Sequence, residues 1–518
     1  MNGGADTPIL IGVGEASERI DAADYAALSP VELASRAAAA AIADAGAPGL
    51  AGHIDVIAAI RQFEVSGPNA RRPFGASNNF PRSVARRIGA DPARAILEVV
   101  GGQGPQHLVN EFAHAIAAGE MDTALMVGSE AISTVRHLQG LGQTRDWAET
   151  LDGKIEDRGY GMEGLITLDL IAHGARTAIH LYALFENARR ARLGLDRPSY
   201  AHAMGELFAP FTKVAHDNPH AMSREIYSAD ELATVTGRNR LTSDPFPRRM
   251  VARDQANQGA AVLMTSVRRA RELGVPEDRW VYLYGGADVR ERTVIERQDL
   301  SRSPASVAAC RKALDVAGLG LDQISAFDLY SCFPIAVFNI CDGLGLSPDD
   351  PRGLTVTGGL PFFGGAGNNY SMHAIASMVR RLRAKPGDIG LVGANGGFLS
   401  KYSVGVYSTT ARPFTPFDSK PLQAEIDAWP APALDPGFVG EADVETYTVD
   451  YSGPAPRGVI VGRTDAGARI VAMAAPEETA IVGEMIAHDP LGGRFTVGPG
   501  ENNKSAIRAV QPRAAAAD

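Results

Sequence analysis

The chain has 518 residues, 45% of them apolar and 21% charged, which is the composition of a globular protein with more than one core and excludes a disordered chain or a coiled coil. A net charge of −10 leaves no strongly basic domain to neutralise a phosphate backbone, so nucleic acid is not an expected partner. Three cysteines, Cys310, Cys332 and Cys341, are too few for a disulfide scaffold, and the 11 histidines show no metal-ligand spacing, so no metal is expected.

The first residues lack the basic and apolar stretches of a secretory leader, and no apolar run reaches about 18 residues, so a cytoplasmic chain with no membrane span is expected. Ser29-Pro30 opens a helix that closes at Ala45-Gly46, with proline in its first turn and glycine just past its end. The pattern then predicts strands over 54–60 and 95–100, the turn Gly101-Gly102-Gln103-Gly104, a helix over 105–118 and a strand over 123–128. From about residue 130 to 245 the chain is richer in charge and histidine, with helices over 178–192 and 200–214, and reads as an inserted helical layer. Ser303-Pro304 opens a second copy of the first pattern. It has a helix ending at Ala317-Gly318, a strand over 324–329, a segment 354–357 before the glycine-rich stretch 358–367, a helix over 371–384 and a strand over 389–393. This duplication predicts an α/β fold in two βαβ-rich halves, residues 1–265 and 266–410. A proline-rich linker over 411–440 leads to residues 441–513, where strands over 446–450, 458–463, 468–474, 479–484 and 494–497 predict a small β-barrel. The tail 514–518 is expected to fray.

Several stretches resemble the thiolase superfamily, over roughly residues 7–410. Asn239-Arg240-Leu241 followed by Asp244-Pro245-Phe246 looks like the stretch that re-enters the core in acyl-CoA thiolases, and Asn257-Gln258-Gly259-Ala260-Ala261-Val262 is similar to the strand after it. Val127-Gly128-Ser129-Glu130 and the segment from Gly358-Gly359 to His373 resemble two further family motifs. A thiolase core joined to a C-terminal barrel of the oligonucleotide/oligosaccharide-binding (OB) type resembles the type 1 thiolase-like proteins. The resemblance implies a duplicated thiolase fold with an inserted loop domain over about 130–245.

The reactive positions depart from the family pattern. The turn that carries the nucleophilic cysteine reads Val99-Val100-Gly101-Gly102, so Gly101 stands where the thiol is expected. The histidine of the glycine-rich segment falls on Gly365, and the second cysteine falls on Ala394 within Gly393-Ala394-Asn395-Gly396-Gly397. One motif keeps its chemistry. Where sterol-carrier-type thiolases carry His-Asp-Cys-Phe, this chain has Tyr330-Ser331-Cys332-Phe333. Cys332 thus matches their acid/base cysteine, and Tyr330 resembles the proton-transferring tyrosine of thiolase-like retro-aldolases that lack the nucleophile and work with a barrel partner.

The resemblance therefore implies a non-covalent acyl-CoA enzyme such as a retro-aldol carbon–carbon lyase of lipid or steroid-type metabolism. Tyr330 or His373 would take the β-hydroxyl proton and Cys332 would reprotonate the enolate, while Gly101, Asn368, Asn369, Asn395 and Gly396 would surround the oxyanion. Two alternatives stay open: an acetyl-CoA acetyltransferase using Cys332, and a non-catalytic acyl-CoA carrier or scaffold. Each residue also has a plain structural use. Cys332 and Tyr330 can pack at a strand end, His373 can begin a helix, and Asn368, Asn369 and Asn395 can cap or turn the chain. No tightly bound cofactor is implied, only CoA or acyl-CoA as ligand, its phosphates drawing on Arg189, Arg190, Arg248 or Arg249. Relatives dimerise through core strands. The barrel could cover that surface here, so both monomer and homodimer are expected.

Overall fold

A computed structural model describes residues 4–474, 477–501 and 504–512, and in it the duplicated sequence pattern is a duplicated structure. The tail 514–518 lies outside the described residues. The first half contributes β1 (Pro8–Ser17), β2 (Val56–Ala59), β3 (Arg94–Leu97), β4 (Thr123–Ala131) and the two-residue β5 (Glu156–Asp157). The inserted helical segment adds the short pair β6 (Leu241–Ser243) and β7 (Phe246–Pro247) before β8 (Asn257–Ser266) returns to the core. The second half supplies β9 (Val281–Arg290), β10 (Ala326–Leu329), β11 (Ile389–Gly396) and β12 (Lys401–Ser408).

These core strands run in the order β10-β11-β12-β9-β1-β8-β4-β2-β3-β5. The halves meet at β1 and β9, where Ile9 and Leu10 pair with Tyr282 and Val281. Outward from that seam the two sides match: β1-β8-β4 and β9-β12-β11 are antiparallel, and each then gains one parallel strand, β2 or β10. Small residues set the packing. Helix Pro30–Ala45 is held by a capping box from Ser29 and Glu32 and buries Ala37 and Ala41 against β1. A Cβ on Gly14 or Gly12 would fall 2.1 Å and 2.2 Å from the carbonyl oxygens of those alanines. Helix Pro304–Ala317 repeats the arrangement on β9, where Gly285 approaches the Ala313 carbonyl as closely.

The symmetry breaks at 354–357, the counterpart of β3, which forms no strand. The buried carboxylate of Asp328 replaces the ladder there. It accepts the N–H groups of Val356 and Thr357 at 2.9 and 3.2 Å and the hydroxyls of Thr355 and Thr357.

The C-terminal barrel consists of β13 (Gly440–Asp450), β14 (Arg457–Arg463), β15 (Arg469–Met473), β16 (Arg494–Pro499) and β17 (Ser505–Gln511). Their order β14-β15-β17-β16-β13, closed by β13 pairing β14, is the connectivity of an OB fold. The strand expected over 479–484 is instead helix Thr479–Ala487. Its buried Val482 and Met485 are three residues apart and face the barrel, with Met485 against Gly458, a helical spacing that alternation had masked. The last strand, β17, was not expected from the sequence. Within the expected linker, Lys420–Asp427 is a helix.

The barrel is bound into the inserted layer. Arg190, fully buried, reaches the Asp489 carboxylate and the Tyr447 hydroxyl, and Asn187 donates to the Tyr447 carbonyl at 2.9 Å. Arg469 donates to the Ile295 carbonyl at 2.8 Å and pairs with Glu445.

Candidate functional site

The turn after β3 and the ends of β10 and β11 meet in the interior. Gly101 has φ +141°, a conformation that favours glycine, and its N–H donates to the Asn368 side-chain oxygen at 3.1 Å. A Cβ on Gly102 would fall 2.3 Å from the Tyr330 hydroxyl and 2.6 Å from the Asn395 carbonyl oxygen, so the aromatic ring fills the room a side chain would need. The Gln103 amide does the same beside it. Its Oε1 lies 2.1 Å from a notional Cβ on Gly101 and 1.7 Å from one on Gly396. That oxygen is buried and accepts no hydrogen bond from the described residues.

Tyr330 and Cys332 are both buried, and the Tyr330 hydroxyl makes no hydrogen bond to the described residues. The Tyr330 ring meets Tyr370 edge-on, with centroids 5.3 Å apart. Asn395 donates to the Tyr182 hydroxyl at 2.6 Å and stands 3.7 Å from the Cys332 sulfur, while its own Oδ1 has no partner. Burial raises the Tyr330 phenol above its ordinary value and pushes the Cys332 thiol up to about 12, despite contacts with Tyr182 and Asn395 that favour the thiolate. Both groups are therefore neutral proton donors at pH 7. A nucleophilic cysteine needs the opposite shift.

The asparagines of the glycine-rich segment hold the turns around this centre. Asn368 donates to the Arg61 carbonyl at 2.8 Å besides accepting from Gly101, and Asn369 donates to the Gly128 carbonyl at 2.8 Å. The Ser371 hydroxyl is bonded to the Gly102 carbonyl. Glu130 accepts the Phe63 N–H at 2.6 Å, and burial raises its carboxyl well above the ordinary range.

His373 does not join Tyr330 and Cys332. It is fully buried, its Nδ1 lies 2.6 Å from Glu15 of β1, and it packs edge-on against Phe363. Burial alone would raise the Glu15 carboxyl, but the hydrogen bond and charge of His373, with Arg380 beside them, hold it at about 2. The helix carries Ser371 toward the turn and His373, two residues on, toward β1.

Two residues of this centre carried no signal in the sequence. Tyr182 comes from the inserted layer and also takes the Leu399 N–H at 3.3 Å. Lys401, at the start of β12, donates to the carbonyls of Val100 at 2.9 Å and Gly161 at 2.6 Å, and burial lowers its ammonium to about 8.

A cavity of about 380 Å³ is lined by Arg238, Arg248, Arg249 and Arg253 with Tyr227 and Ala252. The Ala252 N–H donates to the Cys332 carbonyl at 2.9 Å, so the cavity wall is in backbone contact with the Tyr330–Cys332 segment. The side chains of Arg238, Arg248 and Arg253 make no hydrogen bond or ion pair to the described residues. Partial burial and the nearness of Arg19 and Arg248 lower the pKa of Arg253. The other two expected phosphate ligands are spent elsewhere: Arg190 on the barrel, and Arg189 on Asp342 at 2.9 Å and on the face of Phe338.

The sequence profile of the thiolase-like protein type 1 additional C-terminal domain matches residues 421–502. A crystal structure of a monomeric SCP2-thiolase-like protein type 1 from Mycobacterium smegmatis is 48% identical, covering 98% of this chain and 100% of that one, with a TM-score of 0.84. The Ltp2-ChsH2(DUF35) aldolase is 20% identical over 78% of this chain and 98% of that one, with a TM-score of 0.57. The dimeric peroxisomal thiolase of Saccharomyces cerevisiae is 15% identical over 78% of this chain and 98% of its own, with a TM-score of 0.56; these last two show the shared fold. No curated protein sequence matches the chain.

Proposed function

The chain belongs to the SCP2-thiolase-like proteins of type 1, and from that premise we propose that it binds acyl-CoA and acts on it without an acyl-enzyme, as a monomeric retro-aldol carbon–carbon lyase. The observation that carries this reading is the arginine-lined cavity whose wall bonds the Cys332 backbone. Three guanidiniums without protein partners suit the phosphates of CoA, and the thioester end would then reach toward Tyr330 and Cys332.

The neutrality of both groups suits a relay in which no phenolate forms. The Tyr330 oxygen takes the proton of the β-hydroxyl while its own proton passes to the thioester oxygen. The Cα–Cβ bond breaks, leaving a free carbonyl product and an enol thioester. Cys332 gives its proton to Cα and regains one from the enol oxygen, restoring both residues. The same neutrality disfavours acetyl transfer through Cys332. The Gln103 amide wedged between Gly101 and Gly396 favours a second reading, a CoA-binding protein without turnover.

A calorimetric titration with CoA tests the binding. Saturable heat is expected, with affinity at least tenfold weaker in Arg248→Glu. No heat at millimolar CoA would remove the proposal.

A further inference from the structure

A second cavity, of about 580 Å³, lies far along the chain from the arginines at 238–253. It runs beside helix Pro304–Ala317, between that helix, the end of helix Pro334–Leu344 and helix Lys420–Asp427. The first helix gives it one face, from Pro304 at its N-terminus through Val307 and Arg311 to Asp315, residues spaced by three or four, with Lys312 beside Arg311.

Asn339 lines this cavity, is 2% exposed, and neither its amide nitrogen nor its amide oxygen has a hydrogen-bond partner among the described residues. Buried amides are normally bonded, so a donor and an acceptor left side by side point to something that supplies both. Lys312, also on the wall, makes no hydrogen bond or ion pair to the described residues. Arg311 is held by the Gly343 carbonyl at 2.8 Å, and Arg302 pairs with Asp299 at the helix N-terminus. Trp429 presents a half-buried ring to the same space. Of the carboxylates present, Asp342 is bound to Arg189 and Arg192, while Glu425 and Asp315 have no cation.

We propose that this groove binds an adenine nucleotide. The paired amide of Asn339 matches the adjacent donor and acceptor on the adenine edge, and the Trp429 ring offers a face on which the base stacks. Lys312, Arg311 and the N-terminus of helix Pro304–Ala317 attract the phosphates, and Glu425 is placed to accept ribose hydroxyls. The adenylate end of CoA carries the same chemistry as a free nucleotide.

Titration of the full chain with ADP tests the site, and CoA is titrated in parallel. Saturable ADP binding is expected, weakened at least tenfold in Lys312→Glu and in Trp429→Ala. Asn339→Leu, which removes a buried unbonded amide and keeps its branched shape, is expected to fold and to lose ADP. CoA that loses affinity in Lys312→Glu and not in Arg248→Glu would assign the groove to the adenylate of CoA and remove its phosphates from the arginine cavity; CoA unaffected by Lys312→Glu would assign the groove to a free nucleotide. Absence of ADP binding, or ADP binding abolished by Arg248→Glu and untouched by Lys312→Glu, would overturn the site. A chain that binds ADP and not CoA would remove the acyl-CoA reading and leave this one standing.

Discussion

At Gly101 two independent constraints act on one residue. Its φ of +141° disfavours any side chain, and the Gln103 amide oxygen occupies the place of a Cβ. Gly101→Cys therefore does not restore a thiolase nucleophile. It is expected to destabilise the chain by about 1–3 kcal/mol in denaturant unfolding and to give no acetyl adduct with acetyl-CoA by intact mass. An acetylated Gly101→Cys protein of unchanged stability would contradict this. His373 and Glu15 couple the stability of the fold to pH. The Glu15 carboxyl is held at about 2, below its ordinary 4.5, so its ionised form stabilises the fold above pH 4.5, and that stabilisation is lost as pH falls from 4.5 toward 2. The melting temperature of Glu15→Gln should lie below that of the wild type at neutral pH, and the gap should narrow across that window; a constant gap would count against the pair.

A short strap decides what happens at the sheet edge. β5 pairs in parallel with β3, Arg158 donates its N–H to the Leu97 carbonyl at 3.0 Å, and Val100 donates to the Tyr160 carbonyl at 3.0 Å. Side chains reinforce it: Arg94 with Glu156, Arg158 with both Glu98 and Glu111, and Lys401 on the Gly161 carbonyl. An uncovered edge strand is a template for pairing with another chain. The strap covers β3 on that side. Arg158→Glu sets a carboxylate against Glu98 and Glu111 and should loosen the strap, producing concentration-dependent dimers in sedimentation velocity. A variant that keeps the oligomeric state of the wild type at every concentration would show that the strap is not what blocks the edge. The two helices opened by Ser29-Pro30 and Ser303-Pro304 were legible because caps, proline and glycine act locally. The strap, the irregular 354–357 and helix Thr479–Ala487 were not. Each depends on a partner distant in sequence: β3, the Asp328 carboxylate or the barrel interior.

Across the whole molecule, two pseudo-symmetric halves place the Gly101 turn, Tyr330 and Asn395 together, while the insertion delivers Tyr182 and the barrel locks the insertion in place. Among the described residues no helix is long and apolar enough to cross a membrane. That Gly101, Gly365 and Ala394 carry no reactive side chain could be read in the sequence, since a missing side chain needs no coordinates. That Arg189 and Arg190 are consumed by internal contacts, and that His373 faces β1, could not, because an arginine or histidine looks the same in sequence whether it is paired or free. The proposed chemistry runs without a covalent acyl-enzyme. It is tested most directly by incubating the protein with a β-hydroxyacyl-CoA, measuring the released carbonyl product and the intact mass of the protein together. Release is expected from the wild type, about 100-fold slower release from Tyr330→Phe, and no mass adduct on either; an acyl group trapped on Cys332 would contradict a non-covalent route.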